Sequence, residues 1–473
     1  MTPHPHPPVR TPLRDRAPRP ASPSGFPRPR EALSPREAVV PGRSSVTLLR
    51  AEWVLPVEGW AIHDGAVAVE GARIVAVGPA RDVERRLLGA PALDLGQAAI
   101  LPGLVDLHTH VCWSGVAPVR LPFGEWIEAM AGKARAAVPS DLERDAARGA
   151  RRLIEGGVTA VGDSGPVAEI YDAVAASGLR GTFFLEVFGP DPRSAREAFA
   201  AARDRFRSLR ARARGERLAV GLAPHAPYTA SEPLYLALAD LARREGVRLA
   251  THLAESPEET DFVCRGAGPL AERLARRGIP VAGTGRGPVA WLAASGALDG
   301  VSWVLAHLAR ADAADVALLA GRARGPAPGV ALCPVSNAFL GVGSPPVAAL
   351  GRSGLRPGLG TDGAGTDPAQ DLFAAMRACL RLTRFGPDLA ARDVLRAATL
   401  DGARALGLER ETGSLVPGKL ADICAVSLGP SERPLEMEPH EAVALLGARE
   451  RVLLTMIDGR IVWRRNPAEV ERA

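Results

Sequence analysis

A chain of 473 residues, 47% of them hydrophobic, is long enough for one large folded unit with a satellite and too apolar to be disordered throughout. Its five cysteines, Cys112, Cys264, Cys333, Cys379 and Cys424, are too scattered for a zinc ribbon or a disulfide scaffold, and are expected to be reduced and mostly buried. The net charge of +5 argues little for a nucleic-acid partner, because eight arginines against three acids place all of it in residues 1–44.

Residues 1–44 are rich in Pro and poor in aromatics, so they bury too little surface to offset chain entropy and read as a disordered leader. The leader lacks the apolar core of a secretory signal, and no later apolar run approaches the length of a membrane span. A cytoplasmic protein without membrane or nucleic-acid partners is expected. Residues 45–97 carry short β-like runs with Gly at the turns, such as "VTLLRAEWVLPV" and "GAVAVEGARIVAVG". Residues 413–465 repeat that texture in "GSLVPGKLADICAVSL" and "RVLLTMIDGRIVWR". The two ends are predicted to complete one small flanking β domain, since chain termini commonly lie close together.

Between them, residues 98–412 alternate short apolar runs with Ala/Arg/Leu-rich stretches of helical period. The runs are "AAILPGLVDLHTH", "GGVTAVGDSG", "GLRGTFFLEVFG", "ERLAVGLAPHAP", "GVRLATHLAES", "GVSWVLAHL", "GVALCPVSN" and "GLRPGLGTDG". Many begin at a Gly suited to the C′ position of the preceding helix. Eight strand–helix units predict an α/β fold, a distorted (β/α)8 TIM-type barrel with its active site at the C-terminal strand ends. A doubly wound open sheet is the alternative reading of the same alternation.

Five of the nine histidines fall at these strand ends: His108 and His110 on the first, His225 on the fourth, His252 on the fifth and His307 on the sixth. On a strand, His108 and His110 project to one face. The eighth run ends in Asp362. His108, His110, His252 and Asp362 form a set of N and O ligands for a divalent ion. Lys133 and Lys419 are the only lysines and neither lies at a strand end, so a lysine-derived carboxylate bridging two metals is not expected. Asp367 in "DPAQ" suits a helix N-cap, with Pro368 at the first position and Gln370 closing a capping box, which leaves Asp362 as the ligand. In "HLAESPEET", Ser256, Pro257, Glu258 and Glu259 suit the cap, first position, first turn and capping box of a helix. Glu255 is left over, in a loop where a carboxylate can reach a substrate nitrogen.

With "PGLVDLHTH", "APHAPYTAS", "THLAES", "LAH", "CPVSN" and "GTDGAGTDPAQDLF" in this order, the chain over roughly residues 46–465 resembles the amidohydrolase superfamily. It is similar in particular to the aminohydrolase branch, with its guanine, methylthioadenosine/S-adenosylhomocysteine and aminofutalosine deaminases and triazine hydrolases. The resemblance implies that His108, His110, His252 and Asp362 hold one ion, zinc with Fe(II) or Mn as the other options. It implies Glu255 as the proton-transferring acid and His307 as the water-orienting residue, while Asp362 accepts the water's proton. His225, Ser336 and Asn337 match substrate-contacting positions, and Trp126 in "APVRLPFGEWIEAM" matches a lid aromatic. In "AHLARA", Arg310 stands where methylthioadenosine-type relatives often carry a second histidine. The expected reaction turns a ring C–NH2 of a small purine-like heterocycle into C=O with release of ammonia. Hydrolysis of a cyclic amide or an s-triazine C–Cl bond is the enzymatic alternative, and a non-catalytic scaffold is the alternative from another class. Such proteins are often dimers, so a homodimer is the expected assembly.

Overall fold

The computed structural model of the chain describes residues 46–321, 325–383, 390–429 and 437–465; the expected leader lies outside them. Eight parallel strands form the main sheet: β1 (Leu104–His110), β2 (Val158–Gly165), β3 (Arg180–Val187), β4 (Leu218–Pro224), β5 (Leu249–Leu253), β6 (Trp303–His307), β7 (Gly329–Leu332) and β8. The last is split into Gly358–Leu359, which pairs with β7, and Asp362–Gly363, which pairs with β1. The ring therefore closes through one short segment, giving the distorted barrel predicted from the alternation. The strands are almost wholly buried on both faces, as parallel strands flanked by helices must be.

The helices end where the glycines allow. Gly178 follows Ala168–Ser177 at φ +87° and Gly246 follows Glu232–Glu245 at φ +65°, left-handed geometry that only glycine adopts without strain. Inside the barrel a core of small side chains, including Ala160, Ala223, Ala250, Ala306 and Ala331, packs against Val105, Leu107 and Phe184, with Ala403 and Leu406 closing it. A second, larger core lies between the strands and the outer helices.

β1 is irregular in a way that matters to its upper end. Val105 and Leu107 belong to the inner core, yet His108 and His110 also point inward, which strict alternation forbids. The pairing of β1 with β2 shifts register between Asp106 and Thr109, and this supplies the change of parity. Gly162 on β2 makes room for it: a Cβ there would meet the Leu107 carbonyl oxygen at 2.3 Å. Asp106 accepts from the Thr361 N–H at 3.1 Å and hydroxyl at 2.6 Å, so a side chain replaces the ladder bond where β8 is interrupted.

The flanking sheet draws on both ends of the chain. Its order is Arg460–Arg464, Val452–Ile457, Ile423–Ser427, Ala98–Pro102, Thr47–Val54, Ile62–Glu70 and Arg73–Pro79, with Ala92–Asp94 also pairing with Thr47–Val54. The apolar run at Ala98–Pro102 predicts a barrel strand, but these residues form the central strand of this sheet, hydrogen-bonded to Ile423–Ser427 and Thr47–Val54. The boundary drawn at residue 98 thus moves to Gly103, a residue the hydropathy of "AAILPGLVDL" does not distinguish. A buried Arg180–Asp422 ion pair locks the start of β3 to this sheet. The five cysteines are unpaired and all but Cys264 are buried. Among the described residues no helix is long and apolar enough to cross a membrane.

Candidate active site

The mouth of the barrel gathers the histidines. His108 and His110 close β1, His252 lies near the end of β5 and His307 ends β6; His225 follows β4, and Asp362 sits in the second half of β8. One ligand atom from each of His108, His252, His307 and Asp362 lies within 4.8 Å of the others. His110 joins them, its Nε2 3.2 Å from His252 Nε2 and 3.6 Å from Asp362 Oδ1. The site thus contains five donors, the four picked from sequence and His307.

The hydrogen bonds behind the rings show what these donors await. His110 Nδ1–H donates to the Ser164 carbonyl at 3.1 Å and His252 Nδ1–H to the His225 carbonyl at 2.7 Å, so each Nε2 carries a bare lone pair. Two such lone pairs facing each other at 3.2 Å repel unless a cation lies between them. Donors around one tetrahedral ion at about 2.0–2.1 Å stand about 3.3 Å apart. His108 Nε2 and His307 Nε2 are buried without any hydrogen-bond partner. Burial together with the neighbouring histidines pushes the imidazoles below their ordinary value, and His110 falls to about 4, so they are neutral ligands at pH 7. Burial alone would raise Asp362, yet His307, His110, His252 and the Ser336 hydroxyl hold it below the usual carboxylate range. Imidazole and carboxylate donors of this kind fit a divalent metal ion.

The backbone is strained here. His307 at φ +75° and Asp362 at φ +60° are non-glycine residues in the left-handed region, a cost tolerated where side-chain aim matters. Ser336 and Asn337, on the helix Pro334–Leu340, help to hold that aim. Ser336 donates to Asp362 Oδ2 at 2.6 Å, and Asn337 Oδ1 accepts from His307 Nδ1–H at 2.9 Å. Both side chains are thereby engaged with other site residues, and neither lines the cavity described below.

Glu255 follows β5 and is 3% exposed, with Oε1 3.7 Å from His307 Nε2. Burial pushes its carboxyl up to about 8. The helix after it starts as the sequence suggested, Ser256 accepting from Glu259 N–H at 3.1 Å with Pro257 at the first position. Glu259 reaches further back than a capping box requires, its two oxygens accepting from Ala254 N–H at 2.8 Å and Glu255 N–H at 2.7 Å. The cap thus fixes the backbone of Glu255 itself. The reading of Asp367 needs correction: it accepts from Ala369 and Gln370 N–H in a turn, but the helix begins at Leu372 after Asp371, which accepts from Phe373 N–H.

Above the cluster opens a cavity of about 440 Å³, lined at its base by His110, His252, Glu255 and Asp362 and on its walls by His225 and Trp126. Trp126 comes from the helix Phe123–Ala136, whose apolar side continues that wall. His225 Nδ1 is held by Thr229 Oγ1 at 2.9 Å, leaving Nε2 to the cavity. Arg310 is exposed and does not line it. Glu186, at the end of β3, also lines it and was not singled out in the sequence. Its signal was there: the one acid in "TFFLEVFG", at the same strand level as the histidines.

Residues 99–462 match the amidohydrolase family. The chain is 33% identical over 427 residues to a 5-methylthioadenosine/S-adenosylhomocysteine deaminase of Symbiobacterium thermophilum, covering 87% of this chain and 92% of that one. An adenosine deaminase from Xanthomonas campestris, solved with bound zinc, is 28% identical, with a TM-score of 0.74 over 90% of this chain and 95% of the other. The Helicobacter pylori aminofutalosine deaminase shares the fold at 20% identity, with a TM-score of 0.75 over 88% of this chain and 100% of that one.

Proposed function

The chain belongs to the amidohydrolase family, and on that premise we propose that it is a metal-dependent hydrolytic deaminase of a purine-like aminated heterocycle, releasing ammonia and leaving C=O on the ring. The observation that carries this reading is the set of bare, inward-facing imidazole nitrogens beside a buried Glu255 at the base of a cavity sized for a small ligand. His108, His110, His252 and Asp362 would hold the ion, and zinc suits the donors. One ion is favoured over two, because Lys419 is engaged with Ser414 and Glu58 and Lys133 does not line the cavity. The unpaired cysteines fit a reducing compartment, which favours the cytoplasm.

A bound divalent ion supplies Lewis acidity that brings deprotonation of water to near-neutral pH. Asp362, its Oδ2 held by the Ser336 hydroxyl at 2.6 Å, is placed to accept the proton of the attacking water. His307, its Nδ1–H fixed on Asn337, presents Nε2 to orient that water beside Glu255. Glu255, protonated at pH 7 because burial lifts it to about 8, gives its proton to the ring nitrogen as the adjacent amino-bearing carbon is attacked. Collapse of the tetrahedral carbon expels ammonia: the proton held on Asp362 passes to the departing nitrogen, and the hydroxyl proton returns to Glu255 as C=O forms. Trp126 and His225 confine and orient the ring.

The test is ammonia release and product mass on a panel of aminated purines, purine nucleosides, aminofutalosine and aminopyrimidines. Conversion of one amino group to oxo supports the proposal, and silence across the panel from a metal-replete sample refutes it in favour of an amide or C–Cl hydrolase. Glu255→Gln should keep its metal and lose turnover by about 10²–10⁴-fold. Near-normal turnover in that variant removes the assigned proton donor.

A further inference from the structure

Glu186 is not used by the chemistry above, and its surroundings are unusual for a carboxyl. It is the last residue but one of β3, in the otherwise apolar run Phe183, Phe184, Leu185 and Val187, all of them buried, and is itself 4% exposed. Among the described residues no donor lies within hydrogen-bond distance of its side chain. The nearest nitrogens are His110 Nδ1 at 3.7 Å, already committed to the Ser164 carbonyl, and His225 Nε2 at 4.0 Å. The backbone leaves it no slack: Glu186 is registered opposite Ala223, and its carbonyl accepts from Arg205 Nη2 at 3.3 Å. Its oxygens have no protein donor and open only to the cavity, where valine or leucine would continue the apolar wall without a polar group to satisfy. The group is nonetheless held rigidly on the cavity wall.

We propose that Glu186 is a specificity-determining residue that accepts a hydrogen bond from a donor on the substrate, a sugar hydroxyl or a ring amino group, on the side of the heterocycle facing His225. This rests on the deaminase reading of the site. Glu255 lies beside His307, whereas Glu186 lies beside His110 and His225, so the two carboxyls address different parts of one ligand. A ligand lacking a donor at Glu186 leaves the buried carboxyl unsatisfied, and rejection of such a ligand is stronger than a hydrophobic wall provides.

The experiment uses the metal-replete full chain and the variants Glu186→Gln and Glu186→Leu, with metal content measured first. Adenosine is compared with 2′,3′-dideoxyadenosine for the hydroxyl source, and 2-aminoadenosine with adenosine for the amino source, through kcat/KM and its split into kcat and KM. The affinities of inosine and 2′,3′-dideoxyinosine, measured by calorimetry, give a second readout that needs no turnover. Glu186→Leu is expected to weaken the donor-bearing member of one pair by about 10–100-fold, mostly in KM, with its partner within a factor of two and metal content unchanged. Glu186→Gln, which keeps an acceptor oxygen, should recover part of the loss. Equal losses on both members of each pair, or loss of metal, would overturn the proposal and make Glu186 a support for His110. If the wild type releases ammonia from no member, the deaminase reading fails separately. In that case equal affinities for inosine and dideoxyinosine overturn the Glu186 assignment, and a preference abolished by Glu186→Leu sustains it.

Discussion

Arg180→Met should destabilise the protein without touching its chemistry. Arg180 lies at the foot of β3, 4% exposed, with Nε 2.5 Å and Nη2 3.1 Å from the two oxygens of Asp422, and with Asp458 as a further partner. The Asp422 side chain is fully buried, and without the guanidinium it keeps only the Asp458 N–H at 3.0 Å as a donor, so its charge is left without a counterion where water does not reach. Breaking a buried pair by deleting one member costs about 3–5 kcal/mol. Unfolding entropy for a chain of this length is roughly 0.9 kcal/mol/K, so the thermal midpoint should fall by about 3–6 °C. Calorimetry at one scan rate on wild type, Arg180→Met, Asp422→Leu and the double variant measures this. The double variant should recover most of the loss, because an apolar pair carries no stranded charge. Specific activity of the folded enzyme should hold, since the barrel floor is remote from the mouth. A midpoint shift below about 1 °C, or a double variant no better than Arg180→Met, would show that Asp422 finds water or another donor and that the reasoning is wrong.

Metal stoichiometry of His110→Ala and His307→Ala separates the two histidines: the first should fall well below one ion per chain and the second stay near one, and the reverse result would assign the ligand role to His307. Glu259→Ala should cost about 2–4 kcal/mol in denaturant unfolding, by leaving the Ala254 and Glu255 N–H groups unmet, and should lower turnover by loosening Glu255. Gly162→Ala forces a Cβ against the Leu107 carbonyl, so a loss of about 1–3 kcal/mol together with reduced metal content is expected; unchanged metal content would mean that β1 relaxes without moving His108.

Short-range pattern made much of this protein legible. Apolar runs of strand length separated by helical stretches were enough for the barrel, because strands buried on both faces must be apolar throughout. Residue type at the strand ends was enough to pick out His108, His110, His252, His307 and Asp362. The Ser256–Pro257 helix start was legible for the same reason, since a cap is made within four residues. Asp367 shows the limit of that logic: the same cap signature serves a turn, and the helix waits for Asp371. What the chain order hides are contacts between residues far apart in sequence. Asp106 replaces a ladder bond of Thr361 across 255 positions, and Arg180 meets Asp422 across 242. The first interrupts β8, and a register shift in β1 turns its histidines inward; the second ties the barrel to a sheet that also claims Ala98–Pro102. Glu186 stayed hidden because a lone acid in an apolar strand has no local partner to betray it, and its isolation appears only when β3 and β4 bring it beside His225. Periodicity and capping are local energies written in neighbouring residues, whereas parity, closure and an unmet carboxyl depend on which distant groups the packed barrel brings within hydrogen-bond reach.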